Sequence, residues 1–450
     1  MTNKLKTILL LLLTLVIHST VIANDTTKVT TKNDPYEFEI YGFIRNDFTY
    51  DSRKTLASVG ELFNFIPMDE NINLLGEDLN AVPSTRLLAV VSRIGFNFNS
   101  PSFNGVRFNA KIETDFAGAS TSYFLFRIRQ AFVGIRWQQH QIIAGQTWHP
   151  MSGDLLPSIV SLNTGAPFNA FSRTPLIRYN AFIGPVTLSA AAIYQMQYTS
   201  PGPNGSSTQY QVFGGLPELY LGITYANNGL KIGFGGEFIS LRPRTTETIE
   251  YEPEPQYCPS PLEKRIKKIT DIKTETIKVN EIVNSFATQL FAQYSNKNFT
   301  IAAKSIYGQN TGHLLMMSGY GYYGTKEDGY SRYYSPLTQS STWLTLAYHT
   351  SRPSHNIRAT VLGGYMKNFG ANHNLDGVYV RGYNNIDQMF RIAPSIQYTF
   401  KGLIVGIEYE YTGVLYGTPQ ANFSVAEPHL IDNHRTYVML VYNFSHKFFK

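Results

Sequence analysis

The sequence contains about sixteen runs in which apolar and polar residues alternate, and their connections alternate between short and long. Residues 105–116, GVRFNAKIETDF, show the pattern at its cleanest. Val106, Phe108, Ala110, Ile112 and Phe116 fall on one parity, and Arg107, Asn109, Lys111, Glu113 and Asp115 on the other. Successive side chains of a strand point to opposite faces, so each run predicts one oily and one charged face. The runs lie near 36–49, 85–99, 104–117, 123–137, 139–148, 174–183, 185–198, 217–226, 230–241, 281–295, 298–307, 341–350, 356–367, 386–400, 403–412 and 434–446. Every second connection is as brief as Gln138, Gly184 or Lys401-Gly402, while 50–84, 149–173, 242–280, 308–340 and 413–433 are long. Consecutive hairpins whose two ends meet different environments predict an all-β, up-and-down antiparallel barrel, with tight periplasmic turns and long outer loops. A soluble sandwich of this size needs a second domain and a linker; the strand spacing stays uniform from Tyr36 to Phe448.

The first residues predict export. Lys4 and Lys6 precede an apolar run over 7–17, and Ala23 supplies the small residue for cleavage, giving a signal peptide over 1–23. A short polar periplasmic segment, 24–35, then leads into one barrel over 36–450. No comparable apolar run follows the signal, which excludes a bundle of membrane helices. Charged residues make up only 16% of the chain and aromatic residues 14%, as expected where one strand face meets lipid. Formal charge is only +6, which gives no case for nucleic acid. The single Cys258 cannot form an internal disulfide.

Aromatics near strand ends, among them Tyr50, Trp137, Trp148, Tyr194, Trp343 and Tyr409, are expected in the interfacial girdles. The charged parity is expected to line a water-filled lumen. Candidate pore-lining residues are Arg45, Arg93, Lys111, Glu113, Arg127, Arg129, Asp154, Arg173 and Arg178. Lys304, Arg358, Arg391, Glu237, Glu408 and Glu410 share lumenal parity. If the turn after the third strand centres near Ser120, Glu113 faces Arg127 and Lys111 faces Arg129. Phe126, Ile128 and Phe132 then meet lipid. Beyond Phe132 the apolar parity switches to Val133, Ile135 and Trp137, which either a bulge near 131–134 or apolar side chains packing inside the lumen would produce. Arg127, Arg129, Arg173 and Arg178 cluster around the suspected narrowing and favour anions over cations.

The connection 149–173 carries Leu155, Leu156, Ile159, Val160 and Leu162. These residues need cover, so this loop is expected to dip into the lumen and constrict it. GYGYYG at 319–324 matches a dinucleotide fingerprint formally, but the polar TKEDGYSRYYSP that follows has no helical period, so an external loop is expected. The ten histidines show no metal-binding spacing, and His149 reads as a loop-positioning residue. No nucleophile elbow is present. Neither catalysis, a metal nor a cofactor is expected.

SRIGFNF at 92–98, FRIRQAFVGI at 126–135, AGQTWHPMSG at 144–153 and RTPLIRY at 173–179 resemble the DcaP-like family of bacterial outer-membrane porins. The resemblance covers the N-terminal third to two-fifths of the chain. It implies a sixteen-stranded, trimeric barrel with an inward loop in the lipopolysaccharide-bearing outer membrane of Gram-negative bacteria. It also implies passive uptake of small hydrophilic, often anionic, solutes, with Arg127 and Arg129 lining the pore. The other reading is a barrel that acts as a surface receptor or adhesin through loops 242–280 and 308–340.

Overall fold

The computed structural model describes residues 36–58, 63–118, 125–251, 273–350, 355–382 and 384–449. The expected signal peptide, the 24–35 segment and Cys258 lie outside these residues. Among them, sixteen antiparallel strands close into one barrel. They are β1 (Glu37–Asp51), β2 (Ser84–Leu88 with Arg93–Asn99), β3 (Val106–Asp115), β4 (Arg127–Trp137), β5 (His140–Trp148) and β6 (Arg173–Ile183). There follow β7 (Val186–Ile193), β8 (Glu218–Asn227), β9 (Leu230–Leu241), β10 (Val283–Ser295), β11 (Phe299–Gln309) and β12 (Thr338–His349). The set ends with β13 (His355–Gly370), β14 (Ile386–Phe400), β15 (Leu403–Pro419) and β16 (Val425–Phe449).

Each strand pairs with its chain neighbour, and β1 pairs with β16 from Glu37↔Phe449 to Asp51↔Arg435. Closure satisfies every ladder edge, which hydrocarbon demands because an unpaired backbone group there costs several kcal/mol. The wall is inside-polar. On β1, Ile44 and Phe48 are exposed while Arg45, Asp47, Thr49 and Asp51 are buried. Ile177, Leu221, Ile223, Phe286, Leu290 and Ile392 continue the exposed apolar belt. Among the described residues no helix is long and apolar enough to cross a membrane. The short turns use residues that accept positive φ: Asn228 at 48° with Gly229 at 81°, and Lys401 at 47° with Gly402 at 96°. Two such residues in succession match the twist of a two-residue hairpin.

Several expectations are corrected. β7 stops at Ile193, short of residue 198, because Gln195 bonds to Ser200 and Gln211 in place of a ladder partner. The region 413–433 is not a long loop. β15 and β16 stay paired to Pro419↔Val425 and leave five residues between them. GYGYYG lies within the strand Gly319–Thr325, in a three-stranded sheet with Arg332–Pro336 and Gly377–Val380, and no helix follows it. The loop over 242–280 forms the hairpin Thr246–Tyr251 with Lys273–Lys278. Trp343 is fully buried on the inner face, where its indole N–H donates to Asn169, so it is no girdle residue.

The β3–β4 register also differs from expectation. Asp115 pairs with Arg127, Thr114 with Ile128, and Glu113 with Gln130. Arg129 is the extra residue of a bulge, which therefore precedes the expected site at 131–134. The bulge turns both Arg129 and Gln130 inward, where they are buried. It also puts Phe132 opposite lumenal Lys111 instead of lipid.

Candidate functional site

The nine candidate residues form separate groups on the inner wall. The first lies on β2–β4. Arg127 grips Asp115 with two bonds, 2.6 Å from Nε to Oδ1 and 3.0 Å from Nη2 to Oδ2. Arg129 bridges both carboxylates at 2.9 Å, through Nε to Glu113 and Nη1 to Asp115. The bulge makes this possible, since it brings Arg129 and Gln130 to the same inner face beside Glu113. Tyr41 also donates to Glu113 at 2.9 Å. Arg93 and Lys111 stand farther from Glu113, at 3.6 and 3.8 Å, and keep more solvent exposure. Among the described residues this wall group holds four cations against two carboxylates.

The second group fixes the start of the connection 149–173. Asp154 accepts from Arg178 and from Tyr220, each at 2.9 Å, and its carbonyl accepts from Lys231. Arg173 is fully buried among the rings of Trp148, Phe171 and Tyr198, with its guanidinium carbon 4.9, 5.0 and 5.8 Å from their centres. It donates to the Tyr198 hydroxyl at 2.9 Å. Arg173 is therefore walled off from the lumen water that the sequence reading gave it.

Arg45 belongs to a third group on the far side of the same connection. It pairs with Asp47 at 2.8 Å and donates to the Val160 carbonyl at 3.0 Å. The chain from 150 to 172 meets strands all round the wall. Lys304 on β11 donates to the Met151 carbonyl at 2.9 Å, and Ser341 on β12 to that of Phe168 at 2.9 Å. Arg391 on β14 donates to the Ala166 carbonyl at 3.1 Å, and Arg358 on β13 to Ser158 at 2.8 Å. Glu408 on β15 accepts the Val160 and Ser161 amides at 2.8 and 3.2 Å. Leu155, Val160, Phe168 and Phe171 are buried. The wall makes room for this segment: a Cβ on Gly364 would lie 2.6 Å from Cγ of Phe168.

Strand parity pointed to the wall partners Lys304, Arg358, Arg391, Glu408 and Glu410. It gave no hint that these residues grip one segment, because that depends on where the segment runs. Arg435, fully buried and 3.5 Å from Asp51, carries the same inward parity and escaped notice.

A closed sixteen-strand antiparallel barrel, apolar outside and charged within, is an outer-membrane β-barrel of the bacterial porin type. The structure is similar to the outer-membrane channel DcaP of Acinetobacter baumannii, with a TM-score of 0.63 at 17% identity, over 94% of this chain and 100% of that one. It is also similar to a trimer form of OmpT, an outer-membrane protein of Vibrio cholerae, with a TM-score of 0.51 at 11% identity over 91% of this chain and all of that one. No family model matches the sequence, and no curated protein matches it. The DcaP-like barrel fold is thus carried by pattern and packing far more than by residue identity.

Proposed function

We propose that this chain is a general diffusion porin for small hydrophilic solutes, with a preference for anions, and that the connection 149–173 constricts its lumen. One observation carries the reading: residues 150–172 are held from β6, β8 and β9 at Asp154, and from β1 and β11 to β15 at other points, on both sides of the ring. A segment with these partners crosses the water path. The excess of cations on β2–β4 supports the anion preference, since rings of fixed charge bias a pore. Trimeric assembly is supported by the uneven wall. β7 has 8 residues and β5 has 9, while β13–β16 have 15 to 25. A tilted spanning strand needs about 9–11 residues, so the low side fits better against protein than against lipid.

Deleting 158–166 and recording single channels in planar bilayers tests the constriction. The expected result is a several-fold larger conductance from a barrel that still shows heat-modifiable migration. Unchanged conductance from the folded deletion variant overturns the constricting role. The receptor reading has weaker support, from the external sheet around Gly319–Thr325. A folded barrel that passes no ions would favour it.

A further inference from the structure

Four titratable side chains from distant parts of the chain meet inside the wall near its loop-bearing end. His149 follows the last residue of β5 and caps the short turn Pro150–Gly153, and His313 lies in the turn Thr311–Leu314. Glu218 opens β8, and Glu237 sits on β9 opposite Tyr220. All four are buried, and one ligand atom from each lies within 4.8 Å of the others. His313 Nε2 is 3.4 Å from Glu218 Oε2 and 3.7 Å from Glu237 Oε1. Ligand atoms of a tetrahedral zinc site with bonds of about 2.0–2.1 Å stand about 3.3–3.4 Å apart, so this spacing is already close to a coordination shell.

The hydrogen bonds divide the four residues by role. The Met151 N–H donates to Nδ1 of His149, which leaves the proton on Nε2. That N–H donates to Glu218 Oε1 at 2.5 Å. His149 is thereby occupied on both nitrogens. Among the described residues, Glu218 Oε2, both oxygens of Glu237 and both nitrogens of His313 have no hydrogen-bond partner. Buried carboxylates and imidazoles left this way are costly, and a divalent cation satisfies them together. Two carboxylates also neutralise its charge, which matters where water is excluded.

We propose that Glu218, Glu237 and His313 form a binding site for a divalent transition-metal ion, with Zn2+ as the best-matched probe, and that His149 is a positioning residue that orients Glu218. Mixed imidazole and carboxylate donors suit first-row divalent ions, and Zn2+ accepts the compact low-coordinate geometry available here. The ion would fasten the turn at 311–314 to β8 and β9, and the His149–Glu218 bond would tie the start of the inward segment to it. These two segments already touch, since the Phe171 amide donates to the Leu314 carbonyl at 2.8 Å.

The test uses the full barrel purified in detergent, stripped with a chelator, equilibrated with Zn2+ and freed of unbound metal. Metal content is read by mass spectrometry and thermal unfolding by loss of heat-modifiable migration. One zinc ion per chain is expected, with an unfolding temperature that falls on chelation and recovers with Zn2+. His313→Gln should abolish stoichiometric zinc. His149→Gln should keep the site with about 10–100-fold weaker affinity, as expected for a group acting through a ligand. Glu237→Gln, nearly the same shape as the native residue, gives a second ligand test if His313→Gln does not fold. Absence of stoichiometric zinc in the folded wild type overturns the site. So does zinc content that stays the same in every folded ligand variant. Equal loss in the His149 and His313 variants overturns the division of roles.

Discussion

The double substitution Arg93→Gln and Lys111→Gln tests the proposed anion preference directly. These are the two cations of the β2–β4 group that stand 3.6 and 3.8 Å from Glu113, and their side chains are 19% and 25% exposed. Loose, partly exposed pairs of this kind contribute about 0.2–1 kcal/mol each, so the barrel is expected to remain folded. Arg127 and Arg129 stay in place and still balance Asp115 and Glu113. The substitution thus removes the group's excess of two positive charges. In water, one unit charge acts on a monovalent ion about 7 Å away with about 0.6 kcal/mol. Screening at 0.1 M salt, where the Debye length is about 10 Å, halves this. Two such charges attract an anion by about 0.6 kcal/mol and repel a cation equally, which gives an anion-to-cation ratio of about 7. The double variant should bring that ratio close to unity. Reversal potentials across a planar bilayer under a potassium chloride gradient measure both values. A conducting double variant with the wild-type ratio refutes the reasoning, as does a wild type that prefers cations.

Further outcomes follow from other parts of the wall. Gly364→Val places a side chain where Phe168 now packs, so the segment 150–172 should shift and single-channel conductance should rise, with unchanged conductance as the contrary result. Glu408→Gln replaces one of the two oxygens that accept from the Val160 and Ser161 amides with a group that cannot accept, and should cost about 1–3 kcal/mol and increase open-channel noise. On the outer face, Leu221→Arg puts a charge on the lipid-facing side of β8 and should destabilise the barrel by about 2–4 kcal/mol in urea titrations from lipid. Asp78 lies in the outer connection after β1. Against the burial penalty, which is the largest single contribution, the Asn71 and Asn80 amides and the Arg53 guanidinium together hold its carboxyl down to about 2. Its stabilising effect is complete above the ordinary carboxylate range and is lost as pH falls towards that value. Amide exchange at Asn71 and Asn80 should therefore quicken on acidification over that window, after correction for intrinsic rates.

The barrel was legible because lipid imposes a strict rule on every strand. A face that meets hydrocarbon must be apolar for its whole length, so parity errors are rare and each hairpin announces itself. The lumen carries no such rule. Trp343 has the composition of a girdle residue, yet it lies inside because a segment some 170 residues earlier supplies Asn169 as its partner. The Arg129 bulge shows the same limit at short range. Alternation revealed that parity slips after Phe132, but the slip occurs where Arg129 and Gln130 can both reach Glu113, and that choice depends on the neighbouring strand. The cluster of His149, Glu218, Glu237 and His313 had no spacing to betray it, since four separate elements each supply one residue. Only Glu237 was recognised as inward-facing. His149 reads from the sequence as a loop-positioning residue, and in the structure its ring accepts from the Met151 amide and bonds Glu218.

The segment 150–172 also has a mechanical consequence. Its partners Lys231 on β9 and Arg45 on β1 stand eight strands apart in the sixteen-strand ring, so it ties opposite walls together as a transverse brace. A cylinder of paired strands flattens by bending the sheet between neighbouring strands, which keeps the ladder register and so meets little resistance. With the brace in place, flattening must stretch several hydrogen bonds at once. Lateral pressure from the surrounding bilayer is then carried across the bore as well as around it, and the aperture keeps its dimensions when the membrane is squeezed or thinned.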